Sequence, residues 1–190
     1  MAEASFSARV GIHHEACREG AGRYGADAAS AATFLPHSGT PSMRVRTATA
    51  ADIGEMHRIR MSVHENRLAD PSLIQPEHYR AMILENGRGW VAEAGSRMAG
   101  FAVADLSRSN IWALFVDPAH EGRGIGRALH DRMLDWLFGS GAERVWLSTD
   151  PATRAERFYR RAGWAAASEQ SGGEVRFEIT RAVWRAARKA

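Results

Sequence analysis

Three glycines at alternate positions, Gly122, Gly124 and Gly126, stand where a strand-like run becomes a helix-like run. The run before them is Ile111-Trp-Ala-Leu-Phe-Val116, and the run after them covers 127–138. Glycine carries no Cβ, so backbone can approach a ligand closely there. The first N–H groups of a helix have no partner inside the helix, and the helix dipole makes that end positive. A junction of this kind suits an anion, most often a phosphate. Arg123 and Arg127 add positive charge beside it. The chain must therefore build a strand–loop–helix unit around a phosphate-bearing ligand.

The spacing narrows the ligand. A nucleotide P-loop needs Gly-Lys-Ser/Thr, which this chain lacks. A dinucleotide fingerprint needs Gly-x-Gly-x-x-Gly in a tight turn after the strand. Counting from Gly122, the third glycine position holds Arg127; counting from Gly124, it holds Leu129. Residues 117–121 also lengthen the turn, and too few strand–helix units are present for a doubly wound sheet.

The bulk properties are those of one ordinary globular domain. The chain has 190 residues, 45% hydrophobic and 25% charged, enough for a proper core. Its net charge of +3 is spread out rather than gathered into a block. That favours a small anionic ligand over nucleic acid as the expected partner. Cys17 is the single cysteine, so no intramolecular disulfide and no cysteine metal site are expected. His13 and His14 read as a chance surface pair, and no metal is expected. No apolar run approaches the roughly 20 residues that span a bilayer. The start lacks the pattern of a signal peptide, so a cytoplasmic protein without a membrane partner is the expectation.

Residues 1–42 are rich in Ala, Gly and Ser and show no sustained period, which predicts a disordered extension. The folded domain is expected over 43–180, with an Arg/Ala-rich tail over 181–190 that is either helical or frayed. Asp52 reads as an N-cap with Glu55 as its capping-box partner. Ile53, Met56, Ile59, Arg60 and Val63 then recur at helical spacing, while Arg58, Arg60 and Arg67 read as a solvated face. A short helix is predicted over 76–84. Strands follow at 89–93 and 98–106 around Gly95-Ser96, a hairpin signal. After the glycine loop come a strand at 144–149, a helix over 153–162 closed by Gly163, and strands at 164–168 and 174–180. The order β-α-α-β-β-β-α-β-α-β-β predicts one mixed α/β (α+β) domain with a mainly antiparallel sheet flanked by about four helices.

The segment Val116-Asp-Pro-Ala-His-Glu-Gly-Arg-Gly-Ile-Gly-Arg-Ala-Leu129 closely resembles the acetyl-CoA signature Gln/Arg-x-x-Gly-x-Gly/Ala of the GCN5-related N-acetyltransferase (GNAT) superfamily. Phe158-Tyr-Arg-Arg-Ala-Gly-Trp164 resembles the family's Phe-Tyr-x-x-x-Gly-Phe segment. The resemblance covers 43 to about 180, and the element order matches. Two departures stand out. Glu121 occupies the Gln/Arg position, so backbone N–H groups are expected to hold the pyrophosphate while the side chain points away. Ala152 stands where the family often has an Asn that contacts the cofactor, with Thr153 or Arg154 as substitutes.

The resemblance implies direct transfer of acetyl from acetyl-CoA, the co-substrate, to an amine. It assigns cofactor contacts to Leu114, Phe115 and Val116, to Gly122, Arg123, Gly124, Ile125, Gly126 and Arg127, and to Thr153. A backbone N–H around Phe115 or Val116 would stabilise the thioester oxyanion. Tyr159 matches the general acid that meets the leaving thiolate; its other reading is a core tyrosine. Candidate bases are Glu65, near the acceptor pocket, and Asp150, at a strand end. Glu65, Asn66 and Trp112 are the candidate acceptor contacts, although Trp112 also reads as core; Asp105 and Asn110 are weaker candidates. Cys17 is expected to be inert. A small-molecule amine is the leading acceptor; a protein or peptide amine, or a weakly catalytic acyl-CoA-binding module, are the alternatives. Dimers are common in the family, so a homodimer fits the resemblance.

Overall fold

The computed structural model describes residues 43–63, 65, 74–169 and 173–189. The expected extension over 1–42, with Cys17, His13 and His14, lies outside the described residues, as do Asn66 and Arg67. Among the described residues seven strands form one sheet: β1 (Met43–Thr47), β2 (Gly87–Ala94), β3 (Arg97–Asp105), β4 (Asn110–Val116), β5 (Arg144–Thr149), β6 (Ala165–Glu169) and β7 (Val175–Thr180). Their spatial order is β1-β2-β3-β4-β5-β7-β6. Every pairing is antiparallel except β4 with β5.

Among the described residues five helices cover the sheet: α1 (Ile53–Ser62), α2 (Pro76–Ala81, continued by a wider turn over Met82–Asn86), α3 (Ile125–Gly139), α4 (Arg154–Arg161) and α5 (Arg181–Ala187). Helices α1 and α2 bury Met56, Ile59, Tyr79 and Ile83 against Val91, Phe101 and Phe115 on one face. On the other face α3 and α4 bury Leu129, Met133, Leu137 and Tyr159 against Leu114, Val145 and Leu147. The stretch after Thr180 is a helix that continues the fold. Trp184 in α5 is buried and donates to Asp135 of α3 at 3.0 Å.

Two local expectations are corrected. The capping box lies three residues earlier than predicted: Asp52 is the N-cap residue of α1 but makes no side-chain cap bond there, and at the end of a 3-10 turn over Ala50–Asp52 capped by Thr49 its carboxylate accepts instead from the Thr49 N–H (2.7 Å) and hydroxyl (2.9 Å). Arg46 on β1 also reaches Asp52 (2.8 Å), which draws that carboxylate into the box. Arg60 does not lie on a solvated face. It is 4% exposed, with its guanidinium 4.7 Å from the Phe115 ring centre. Its place in the Met56–Ile59–Val63 stripe turns it inward, and aromatic stacking makes such burial tolerable. Arg58 does face outward and pairs with Glu55 (2.7 Å) and Asp117 (2.6 Å).

Strand β4 is irregular where it matters most. Val103 pairs with Ala113 and Ala104 with Ile111, so Trp112 has no opposite residue in β3. Such a bulge bends a strand and shifts the alternation of its side chains. The burial follows that shift: Ile111, Leu114 and Val116 face α3, whereas Trp112, Ala113 and Phe115 face α1 and α2.

Candidate active site

Strands β4 and β5 meet at one rung, Asn110 opposite Trp146. Trp146 N–H donates to the Ser109 carbonyl (3.1 Å), and the Asn110 side-chain amide donates to the Trp146 carbonyl (3.0 Å). Asn110, a weak candidate for the cleft, thus fastens the vertex of a wedge. Asp105 holds the preceding turn, accepting from Ser107 (2.6 Å) and from the Arg108 N–H (3.2 Å). Beyond Asn110, β4 has no partner in β5 among the described residues. Its backbone edge along Leu114, Phe115 and Val116 therefore offers hydrogen-bonding groups to something other than a strand.

The glycine loop lies at the open end of this wedge. Asp117 closes a single 3-10 turn over Pro118–His120, its carboxylate accepting from the Ala119 N–H (2.9 Å). Burial alone would raise the Asp117 carboxyl; the Arg58 guanidinium and the Ala119 N–H outweigh it and hold the group below the ordinary carboxylate range. Gly122 (φ 70°) and Gly124 (φ 78°) take the left-handed conformation that side chains disfavour. Gly124 is the N-cap of the 15-residue α3, whose first N–H groups follow it. Gly122, Arg123 and Gly124 are exposed, and Ile125 and Gly126 are buried beneath them. Arg127 is tied to Asp131 at 2.8 Å, whereas Arg123 has no carboxylate partner among the described residues. Gly100 of β3 lies below: a Cβ there would stand 2.8 Å from the Phe115 carbonyl oxygen.

Across the wedge, the loop 150–153 leads into α4. Ala152 has φ 60° and donates its N–H to Glu156 (2.6 Å). The Thr153 hydroxyl accepts from the Glu156 N–H (3.2 Å) and donates to the Asp150 carbonyl (2.8 Å), so it serves the cap of α4. Glu65 accepts from the Arg154 N–H at 2.9 Å, a carboxylate at the positive end of that helix. Glu121 points inward, with one carboxylate oxygen 3.8 Å from the Arg154 guanidinium. Asp150 is half-buried at the end of β5. Trp112 is 2% exposed, edge-on to Tyr79 at 5.1 Å, within the core beneath α1 and α2. Burial pushes the Tyr79 hydroxyl up to about 12, with the Arg60 guanidinium pulling the other way.

Tyr159 lies on α4 and is wholly buried, packed against Phe158, Trp164 and His130. Its hydroxyl has no hydrogen-bond partner among the described residues. Burial holds that hydroxyl protonated far above its usual range. An unsatisfied buried hydroxyl costs about 1–3 kcal/mol, so it calls for an explanation. A polar chain fixes the surrounding box. Trp164 Nε1 donates to His130 Nε2 (3.0 Å), and His130 Nδ1 meets Asp131 (2.9 Å). Burial keeps His130 neutral against the pull of Asp131, and the Trp164 donor assigns the remaining ring proton to Nδ1.

Ser148 belongs to none of the motifs in the sequence. It is 1% exposed on β5, and its hydroxyl donates to Glu174, which precedes β7. The alternation Val145–Trp146–Leu147–Ser148 contains the signal, a polar position on the strand face opposite the α3 core.

The described groups fit a ligand carrying a phosphate, a backbone-like arm and a reactive end. The loop supplies N–H donors, the β4 edge supplies strand-like pairing, and Tyr159 supplies an unused hydroxyl. Among the described residues, no group of His, Cys, Asp and Glu forms a metal site. No helix there is long and apolar enough to cross a membrane.

Fold and wedge together define the architecture of an acyl-CoA N-acyltransferase. The profile of the acetyltransferase (GNAT) family matches residues 53–164, and the chain belongs to that family. It is 28% identical over 127 residues to the chloroplastic serotonin N-acetyltransferase 2 of Oryza sativa subsp. japonica, covering 63% of this chain and 60% of that protein. It is 43% identical over 63 residues to the mycothiol acetyltransferase of Beutenbergia cavernae, covering 33% of this chain and 21% of that protein. Each match thus spans less than two thirds of the relative's length. Among solved structures, the fold is similar to the ribosomal-protein-S18-alanine N-acetyltransferase of Escherichia coli. That likeness has a TM-score of 0.61 at 18% identity and covers 73% of this chain and 94% of that one. It is also similar to the yncA protein of Salmonella typhimurium, solved with its cofactor acetyl-CoA. There the TM-score is 0.56 at 20% identity, covering 73% of this chain and 93% of that one.

Proposed function

We propose that this chain transfers acetyl from acetyl-CoA directly to a primary amine of a small molecule. The observation that carries this reading is the buried, unpartnered Tyr159 hydroxyl beside a wedge whose β4 edge lacks a strand partner. The backbone of 122–127 would hold the pyrophosphate, with Arg123 adding charge. The edge of Leu114, Phe115 and Val116 would align the arm and present an N–H to the thioester oxygen. Tyr159, kept protonated by burial, would meet the leaving sulfur as a donor. Glu65, through the Arg154 N–H, and Thr153, through the cap, would hold α4 and so position Tyr159. Glu65 and Asn66 are the proposed acceptor contacts, while the buried Trp112 takes its other reading as core, and Glu65 or Asp150 are the carboxylates that could take the amine proton. The serotonin N-acetyltransferase relative supports a small amine as acceptor.

Calorimetry with acetyl-CoA, followed by thiol release over a panel of amines and N-terminal peptides, tests the proposal. Binding together with thiol release on a small amine supports it. Turnover on peptides alone would overturn the choice of acceptor, and absence of binding would overturn the whole reading.

A further inference from the structure

Resting on that reading, we propose that Ser148 and Glu174 form the route by which the acceptor nitrogen loses its proton. Ser148 stands on β5 two residues beyond Trp146, the last β5 residue paired with β4 among the described residues, and so past the vertex of the wedge. Val145 and Leu147 point into the α3 core, so Ser148 points to the face of α1 and α2. Trp112 and Phe115 of β4 point to that same face. Tyr159 belongs to the opposite face, among the side chains of α3 and α4. A donor for sulfur and an outlet for the amine proton thus approach the wedge from opposite sides of the sheet, as two reactants meeting in it require.

The pair has a direction. Ser148 is buried, whereas Glu174 is half-buried ahead of β7, where a proton can pass to solvent. The hydroxyl donates to the carboxylate, and a hydroxyl oxygen keeps acceptor capacity for a nitrogen donor while it does so. Arg176, opposite Ser148 in β7, is drawn away: its Nε donates to Glu178 (3.0 Å), and its guanidinium lies 4.2 Å over the Trp146 ring. Glu65 is already committed to the first N–H of α4, and the Ser148–Glu174 route takes the place of Glu65 or Asp150 as acceptor of the amine proton.

The step balances as follows. The neutral amine nitrogen forms the C–N bond to the thioester carbon and becomes cationic, hence strongly acidic. Its N–H proton passes to Ser148 Oγ while the Ser148 proton passes to Glu174. The C–S bond breaks, and sulfur takes the proton of Tyr159. Glu174 then releases one proton to solvent and Tyr159 regains one.

The test uses the full chain with S148A, E174Q and the double variant on an amine that the wild type acetylates. Each single variant should lower kcat about 100-fold, within the range for a positioned proton acceptor, with the Kd for acetyl-CoA unchanged within about twofold. The double variant should be no slower than the slower single one, because the two groups act as a unit. E174Q is isosteric at a half-buried position, so it decides the matter even if S148A folds poorly. Near-wild-type kcat in E174Q, or losses that multiply in the double variant, would overturn the relay. A wild type that binds acetyl-CoA but acetylates no amine overturns the underlying reading instead, so the two failures are distinguishable.

Discussion

Replacing Tyr159 with Phe separates chemistry from architecture. The ring stays, with its contacts to Phe158, Trp164 and His130; only the buried hydroxyl without a partner is lost. Relief of an unsatisfied buried hydroxyl is worth about 1–3 kcal/mol. At roughly 2–4 °C per kcal/mol for a domain of this size, the free protein's Tm should rise by about 2–12 °C. If Tyr159 is the donor to sulfur as proposed, its loss should lower kcat about 100- to 10,000-fold, with the KM for acetyl-CoA little changed. Burial also holds the wild-type hydroxyl protonated, so kcat should show no alkaline loss through Tyr159 below about pH 10. Differential scanning calorimetry and steady-state thiol release measure both quantities. A lower Tm with an unchanged kcat would refute the reasoning, for Tyr159 would then be a core residue with a hidden partner.

Other outcomes follow from the same geometry. Gly100→Ala sets a Cβ 2.8 Å from the Phe115 carbonyl oxygen and 3.1 Å from Ile125, so overpacking should cost about 1–3 kcal/mol and raise the KM for acetyl-CoA. Urea titrations and initial rates will show both, and wild-type values in each would contradict the packing. Thr153→Ala removes the N-cap of α4 and should cost about 1 kcal/mol, with a fall in kcat as Tyr159 loses its support. The Arg46 guanidinium, against the opposing effect of burial and with help from Thr49, holds Asp52 at about 2 instead of 3.8. A depressed carboxylate stabilises the fold above pH 4 and loses that contribution as pH falls toward 2, here about 2 kcal/mol. His130, depressed by burial, shifts the balance toward unfolding from about pH 6.5 downward, because the unfolded imidazole takes up a proton first. Urea midpoints from pH 7 to pH 2 should therefore fall in two stages, and Asp52→Asn should flatten the second.

The sequence made visible what depends on neighbours along the chain. The glycine loop, the Gly95-Ser96 hairpin and the strand–helix order are written in local spacing, and the structure contains them. The wedge was not legible, because it arises from one rung between Asn110 and Trp146 and a bulge at Trp112. Neither residue type announces such a feature. Arg60 was ambiguous for a related reason: charge argues for solvent and helical spacing for the core, and only the aromatic rings of β4 decide between them. The links from Ser148 to Glu174 and from Trp164 to His130 join residues 26 and 34 positions apart. Their geometry is set by the packing of whole elements, which no local pattern encodes.

The single rung between β4 and β5 also bears on folding. The sheet is two half-sheets, β1 to β4 and β5 with β7 and β6, that share almost no backbone ladder. On the proposed reading, the extended arm of acetyl-CoA lies between them as a strand would, so the substrate itself completes the sheet. Amide hydrogen exchange should then slow along 112–116 when acetyl-CoA binds, turning two weakly joined folding units into one.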